Sequence, residues 1–155
     1  FKPFVYATAI NQLKRSPCDL LPNTPYTIPQ GKYGIPEEWT PENSNKEYGG
    51  MLSLKDGLAS SVNTMSARLI DEVSPENVAR LAKASGIETK IQANPSIALG
   101  AVDLSLYEMV SAYSTFANKG LRVKPMIITR NLNFKRCTRK SIGNFFYRAI
   151  EHKGN

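Results

Sequence analysis

A chain of 155 residues, 41% apolar and 21% charged, has the length of one ordinary domain and enough apolar material for a core. Two cysteines (Cys18 and Cys137) and one histidine (His152) exclude a disulfide scaffold or multi-cysteine zinc site and all but exclude a Ser-His-Asp triad. The net charge of +7 is uneven: residues 1–130 hold 14 Lys/Arg against 12 Asp/Glu, and residues 131–155 hold 6 against one.

Phe1 to Leu13 reads as a helix, with Phe1, Phe4, Val5, Ala9 and Leu13 recurring at helical spacing. Pro3 is compatible only with a first turn, so the helix is expected to start just upstream of Phe1. Residues 16–50 then carry six prolines and Gly31, Gly34, Gly49 and Gly50, which forbids long helices and leaves short strands at best. Tyr26, Tyr33, Trp39 and Tyr48 argue that this excursion is ordered. From Met51 the helical period returns through Leu54, Leu58, Val62, Met65, Leu69 and Val73. The polar run Ser60 to Thr64 divides it into helices of about 53–60 and 64–72, meeting at an elbow.

Ser74 followed by Pro75 predicts a capped helix start, with Val78, Leu81 and Ala82 on its buried face and Gly86 as its stop. Residues 94–100 read as a loop with an apolar centre. Ser105 and Glu108 form a capping box, and Leu104 is placed to staple against Met109. The helix they open predicts a buried stripe of Leu106, Met109, Val110, Tyr113, Phe116 and Ala117, ended by Gly120. Val123 to Thr129 reads as a strand, with Pro125 marking an edge or a start.

Three stretches can carry chemistry. Lys2 lies in a first helical turn, where a lysine is ordinarily a solvated charge. Ser61-Val62-Asn63 sits at the elbow, where such clusters ordinarily just break a helix. Trp39 to Asn43 ordinarily reads as an ordered turn with an aromatic plug. Together and in this order, they resemble one family. Phe1-Lys2-Pro3-Phe4-Val5-Tyr6 is similar to the end of the Ser-x-Phe-Lys-Pro-Phe signature of penicillin-binding transpeptidases. Tyr48-Gly49-Gly50 and Leu54 to Asn63 resemble that family's approach to its Ser-x-Asn motif. Pro95 to Gly100, and Tyr107 through Gly120, resemble further blocks of the same domain. The resemblance is to the class A, bifunctional type and covers roughly residues 1–130.

The resemblance implies an α+β fold of the penicillin-binding and serine β-lactamase-like kind, of which this chain holds mainly the α-helical subdomain with one or two edge strands. It implies catalytic roles for Lys2, Ser61 and Asn63, and no cofactor or metal. In Ser-x-x-Lys the nucleophile and the lysine share a helix face, and a lysine kept neutral can take the serine proton. By that analogy Lys2 accepts the proton, Ser61 relays it to the leaving amine, and Asn63 orients Lys2 and the substrate peptide. The nucleophile is expected two residues upstream of Phe1, outside the chain. A Lys-Thr-Gly or Lys-Ser-Gly strand is expected after the last helix, but Lys140-Ser141-Ile142-Gly143 carries an extra residue and does not qualify.

The implied partners are peptidoglycan stem peptides ending in D-Ala-D-Ala and β-lactam antibiotics, outside the bacterial cytoplasmic membrane in a membrane-anchored parent. No apolar run reaches the ~18–20 residues of a membrane span, so the anchor is expected elsewhere. Residues 131–155 lose the resemblance and are expected to be a divergent or frameshifted basic tail. As given, the chain is expected to be inactive. The alternatives are a D,D-carboxypeptidase, a β-lactamase-like protein, or a non-catalytic remnant whose tail binds polyanions; the near-neutral body leaves no nucleic-acid partner expected.

Overall fold

Helix α1 (Lys2–Leu13) presents Phe4, Val5 and Ala9 to the interior with no exposed surface, and Pro3 sits in its first turn. The computed structural model describes residues 1–126, of which Phe1–Pro125 pack as one unit. The element order is α1, β1 (Leu20–Pro22), β2 (Met51–Ser53), α2 (Leu54–Ala59), α3 (Asn63–Val73), α4 (Pro75–Ala84) and α5 (Leu106–Ala117). Single 3-10 turns stand at Lys32–Gly34 and Pro95–Leu99.

The core lies where α1 packs against α3. Met65, Leu69 and Ile70 of α3 meet Phe4, Val5 and Ala9, and Val78, Ala82, Ile87 and Ile97 close the cluster. At about 25 cal/mol per Å² of apolar surface removed from water, each of these larger side chains contributes about 1.5–3 kcal/mol before entropy is counted. This seam brings residue 2 beside residues 61–63, so the placement of the site follows from core burial. The paired helices expected on either side of a polar elbow are present, as α2 and α3.

β1 and β2 form an antiparallel pair with Leu21 opposite Leu52. The excursion between them is ordered, as its aromatics predict. Ile28 is fully buried and bridges Trp39 through reciprocal backbone hydrogen bonds of 2.9 Å. Tyr26 donates to Asp71 of α3 at 2.6 Å, Tyr33 donates to the Asp71 carbonyl at 3.0 Å, and Lys32 pairs with the Asp71 carboxylate at 2.7 Å. Burial, reinforced by that carboxylate, pushes both tyrosine hydroxyls up to about 12. One aspartate thus fastens the proline-rich segment to α3.

Three expectations are corrected. Ser74 precedes α4 with a positive φ of 68° and no side-chain capping bond; Pro75 alone marks the start. The predicted stripe on α5 is not the buried one. Leu106 is 80% exposed, Val110, Tyr113 and Phe116 are also exposed, and the buried residues are Glu108, Ser111 and Ala112. Small side chains let α5 approach the Ser85–Gly86 turn closely: a Cβ on Gly86 would stand 2.4 Å from the Ser111 hydroxyl. Ala112 joins the core cluster, and of the predicted stripe Tyr113 and Phe116 reach back to Phe4 through ring contacts at 6.1 and 5.2 Å. Finally, residues 123–126 form no strand; Pro125 lacks the N–H a ladder needs. The rest of that predicted strand, Lys140 to Gly143 and the basic tail lie outside the described residues. Among the described residues no helix is long and apolar enough to cross a membrane.

Candidate active site

Ser61 is placed by the way α2 ends. Its N–H donates to the Leu58 carbonyl at 3.1 Å, and the Val62 N–H donates to the Gly57 carbonyl at 2.9 Å. That pair of bonds, with a left-handed residue between, is the Schellman arrangement, in which the left-handed position is usually glycine. Here it is Ser61, at φ 56°. A side chain at this φ costs roughly 1–2 kcal/mol, so the fold tolerates strain to keep a hydroxyl at the turn. Asn63 begins α3 immediately afterwards.

Lys2 reaches both from α1. Its Nζ donates to the Ser61 carbonyl at 2.7 Å, the Ser61 Oγ at 2.8 Å and the Asn63 Oδ1 at 2.6 Å. The three residues singled out from the sequence therefore meet at one point. Burial pulls the Lys2 ammonium below its ordinary value.

The partners differ in what they can do with a neutral lysine. An ammonium donates to all three, whereas a neutral amine has a lone pair that needs a donor. The two carbonyl oxygens cannot supply one. Asn63 cannot turn its amide round without giving up the bond from its Nδ2 to the Glu42 carbonyl at 2.7 Å. The Ser61 hydroxyl can reverse direction freely. Lys2 and Ser61 thus form a pair through which one proton can pass, with Asn63 as a fixed acceptor.

The elbow opens on a cleft of about 520 Å³ lined by Asn45, Glu47, Tyr48, Gly49, Leu52 and Ser60. Ser61 is exposed to it, so the pair is accessible from solvent. No group of three His, Cys, Asp or Glu capable of holding a metal occurs among the described residues.

One residue escaped the sequence reading. Asn43, within the stretch read as an ordered turn, is 5% exposed, and its Oδ1 accepts from the backbone N–H groups of Asn63 and Thr64 at 3.0 and 3.2 Å. No periodic pattern marks such a contact.

The sequence profile described as the penicillin binding protein transpeptidase domain matches residues 1–151. The chain belongs to that family. Over 131 residues it is 30% identical to penicillin-binding protein 1A of Neisseria gonorrhoeae, an alignment covering 84% of this chain and 16% of the relative. The crystal structure of penicillin-binding protein 1A from Haemophilus influenzae superimposes with a TM-score of 0.68 at 30% identity, covering 76% of this chain and 17% of that one. The PonA1 protein of Mycobacterium tuberculosis in complex with penicillin V gives a TM-score of 0.68 at 25% identity, over 80% of this chain and 35% of that one. The chain thus spans about a sixth of the length of the curated relative it matches. These similarities bear out the class A resemblance and the α+β transpeptidase fold, which the described residues represent mostly by helices and one antiparallel strand pair.

Proposed function

We propose that this segment is the lysine and Ser-x-Asn half of a serine-type D,D-transpeptidase site that cross-links peptidoglycan stem peptides. The observation that carries the reading is the convergence of Lys2 Nζ on Ser61 Oγ and Asn63 Oδ1. A serine two residues ahead of Phe1, one helical turn from Lys2, attacks the carbonyl of the penultimate D-Ala and passes its proton to the neutral Lys2 amine. The proton travels through Ser61 to the nitrogen of the departing D-Ala. An acceptor amine from a second stem then attacks the acyl-serine and restores the hydroxyl. A β-lactam enters the same path: its amide bond opens, its nitrogen takes the proton, and the acyl group stays on the serine.

The 155 residues include no Lys-Thr-Gly tripeptide, and the serine of this reading stands ahead of Phe1, so the chain as given supplies the proton-handling side of the site. The parent acts outside the cytoplasmic membrane, and residues 131–155 are a basic segment most of which still falls within the stretch that the family profile matches. The test is covalent labelling with a fluorescent penicillin. The isolated chain is expected to remain unlabelled and the full-length protein to label. Lys2→Ala in the full-length protein is expected to slow labelling about 10²–10⁴-fold, the usual weight of a general base. Labelling of the isolated chain, or a Lys2→Ala protein that labels at the parent rate, would overturn the reading.

A further inference from the structure

The start of α3 lacks a local cap. Its N-cap position is Val62, which has no side-chain acceptor, and the structure shows no capping bond from it. Ser61, one residue earlier, carries a hydroxyl, but that hydroxyl is turned to Lys2. Ser, Thr, Asn and Asp are favoured at N-caps because the first N–H groups of a helix have no intrahelical partner. Here the acceptor comes from 20 residues upstream: the Asn43 Oδ1 takes the N–H of both Asn63 and Thr64.

Asn43 is itself fixed. Its Nδ2 donates to the Asn23 Oδ1 and to the Glu47 carbonyl, both at 2.8 Å. The Asn23 Oδ1 also accepts from the Thr64 hydroxyl at 2.9 Å. Asn23 in turn exchanges backbone hydrogen bonds with the Gly49–Gly50 turn, its N–H donating to Gly50 at 3.1 Å and its carbonyl accepting from Gly49 at 2.7 Å. Asn23, Asn43 and Thr64 are 8%, 5% and 0% exposed. The neighbouring Glu42 carbonyl receives the Asn63 Nδ2, which sets the side-chain oxygen of Asn63 toward Lys2. Backbone and side chain of Asn63 are therefore held from the same two-residue stretch.

We infer that Asn43 is a positioning residue: by capping α3 in place of a local side chain, it holds Asn63 against Lys2 and leaves the Ser61 hydroxyl free for the lysine. This rests on the reading of Lys2, Ser61 and Asn63 as the acylation machinery. Fixed geometry of this kind matters because a displacement of about 1 Å in a reacting group can slow a reaction about 10²-fold.

The test measures the first-order rate constant of acylation by a fluorescent penicillin in the full-length protein, together with residue-resolved hydrogen exchange at Asn63 and Thr64. A lesion that only lowers the folded fraction reduces the labelled amplitude and leaves that rate constant unchanged. Asn43→Ala is expected to lower the rate constant about 10–100-fold and to speed exchange of the two amides. Asn43→Asp keeps an acceptor oxygen and is expected to recover part of the rate. Combining Asn43→Ala with Asn63→Ala is expected to be no slower than Asn63→Ala alone, since both act through one group. A wild-type rate constant in Asn43→Ala overturns the inference, as do fully additive losses in the double variant or an Asn43→Asp protein as slow as Asn43→Ala. If the parent protein does not acylate at all, the functional reading fails, and the inference is judged on exchange: amides at Asn63 and Thr64 that stay protected in Asn43→Ala overturn it too.

Discussion

Two helices of this chain begin in opposite ways. At α5, Ser105 and Glu108 cap each other's backbone: the Ser105 hydroxyl accepts from the Glu108 N–H, and the Glu108 carboxylate accepts from the Ser105 N–H at 3.0 Å. Every part lies within four residues. At α3 the capping position is apolar, the adjacent serine faces Lys2, and the acceptor arrives from a proline-rich loop. The difference teaches that a helix start can be given over to chemistry if distant backbone order replaces the local cap. The Glu108 carboxylate has two oxygens, one for Ser105 and one for the N–H groups of Glu88 and Thr89 at 3.0 and 2.7 Å, so its local role displaces nothing; the Ser61 hydroxyl is already taken.

The largest effect should come from removing the remote cap. Asn43→Ala leaves the buried Thr64 N–H and the half-buried Asn63 N–H without an acceptor and is expected to cost roughly 2–3 kcal/mol in urea unfolding. A loss below about 0.5 kcal/mol, the range of ordinary surface changes, would mean that the two helix starts are not so different.

Next, Ser105→Ala is expected to cost about 1 kcal/mol, the usual weight of a local N-cap. Hydrogen bonds from the Ser105 hydroxyl and from the Thr89 and Ser105 backbone hold the Glu108 carboxyl down at about 2. Its folded-state value therefore lies below its unfolded one, so its contribution is complete above about pH 4.5 and is lost as pH falls toward 2. Hydrogen exchange across α5, compared at pH 7 and pH 3, should show that loosening in the parent chain and less of it in Glu108→Gln.

The smallest effect on stability, and the sharpest contrast with function, belongs to Ser61→Gly. Glycine relieves the left-handed strain but adds freedom to the unfolded chain, so stability is expected to rise by no more than about 1 kcal/mol. Penicillin labelling of the full-length protein should nevertheless fall, because the reversible hydroxyl is gone. A variant that is less stable by more than about 1 kcal/mol would show that Ser61 is there for the fold.

What the sequence revealed follows the same division. The α1 stripe, the polar elbow and the Ser105 capping box were legible because they are written in residues three or four apart. The α5 stripe was misread because apolar periodicity shows which face seeks cover and not which face receives it. Ser111 and Ala112 win the close approach through small size, a signal that hydrophobic spacing does not contain. Lys2, Ser61 and Asn63 were reached by family resemblance combined with the chemistry of a lysine base. Their convergence depends on α1 packing against α3, which no local pattern encodes. The stretch that ends at Asn43 stood out, but the capping role of Asn43 did not, because the N–H groups it takes lie 20 and 21 residues away.

The Lys2 and Ser61 side chains meet across 59 positions of chain. Closing so long a segment has an entropic cost that only the interior contacts can repay, so the meeting point arises with the tertiary structure and not before it. On a nascent or denatured polypeptide, Lys2 is one ordinary amine among many and Asn63 one of many amides. Any reagent that recognises their conjunction is consequently a probe of folding as much as of chemistry.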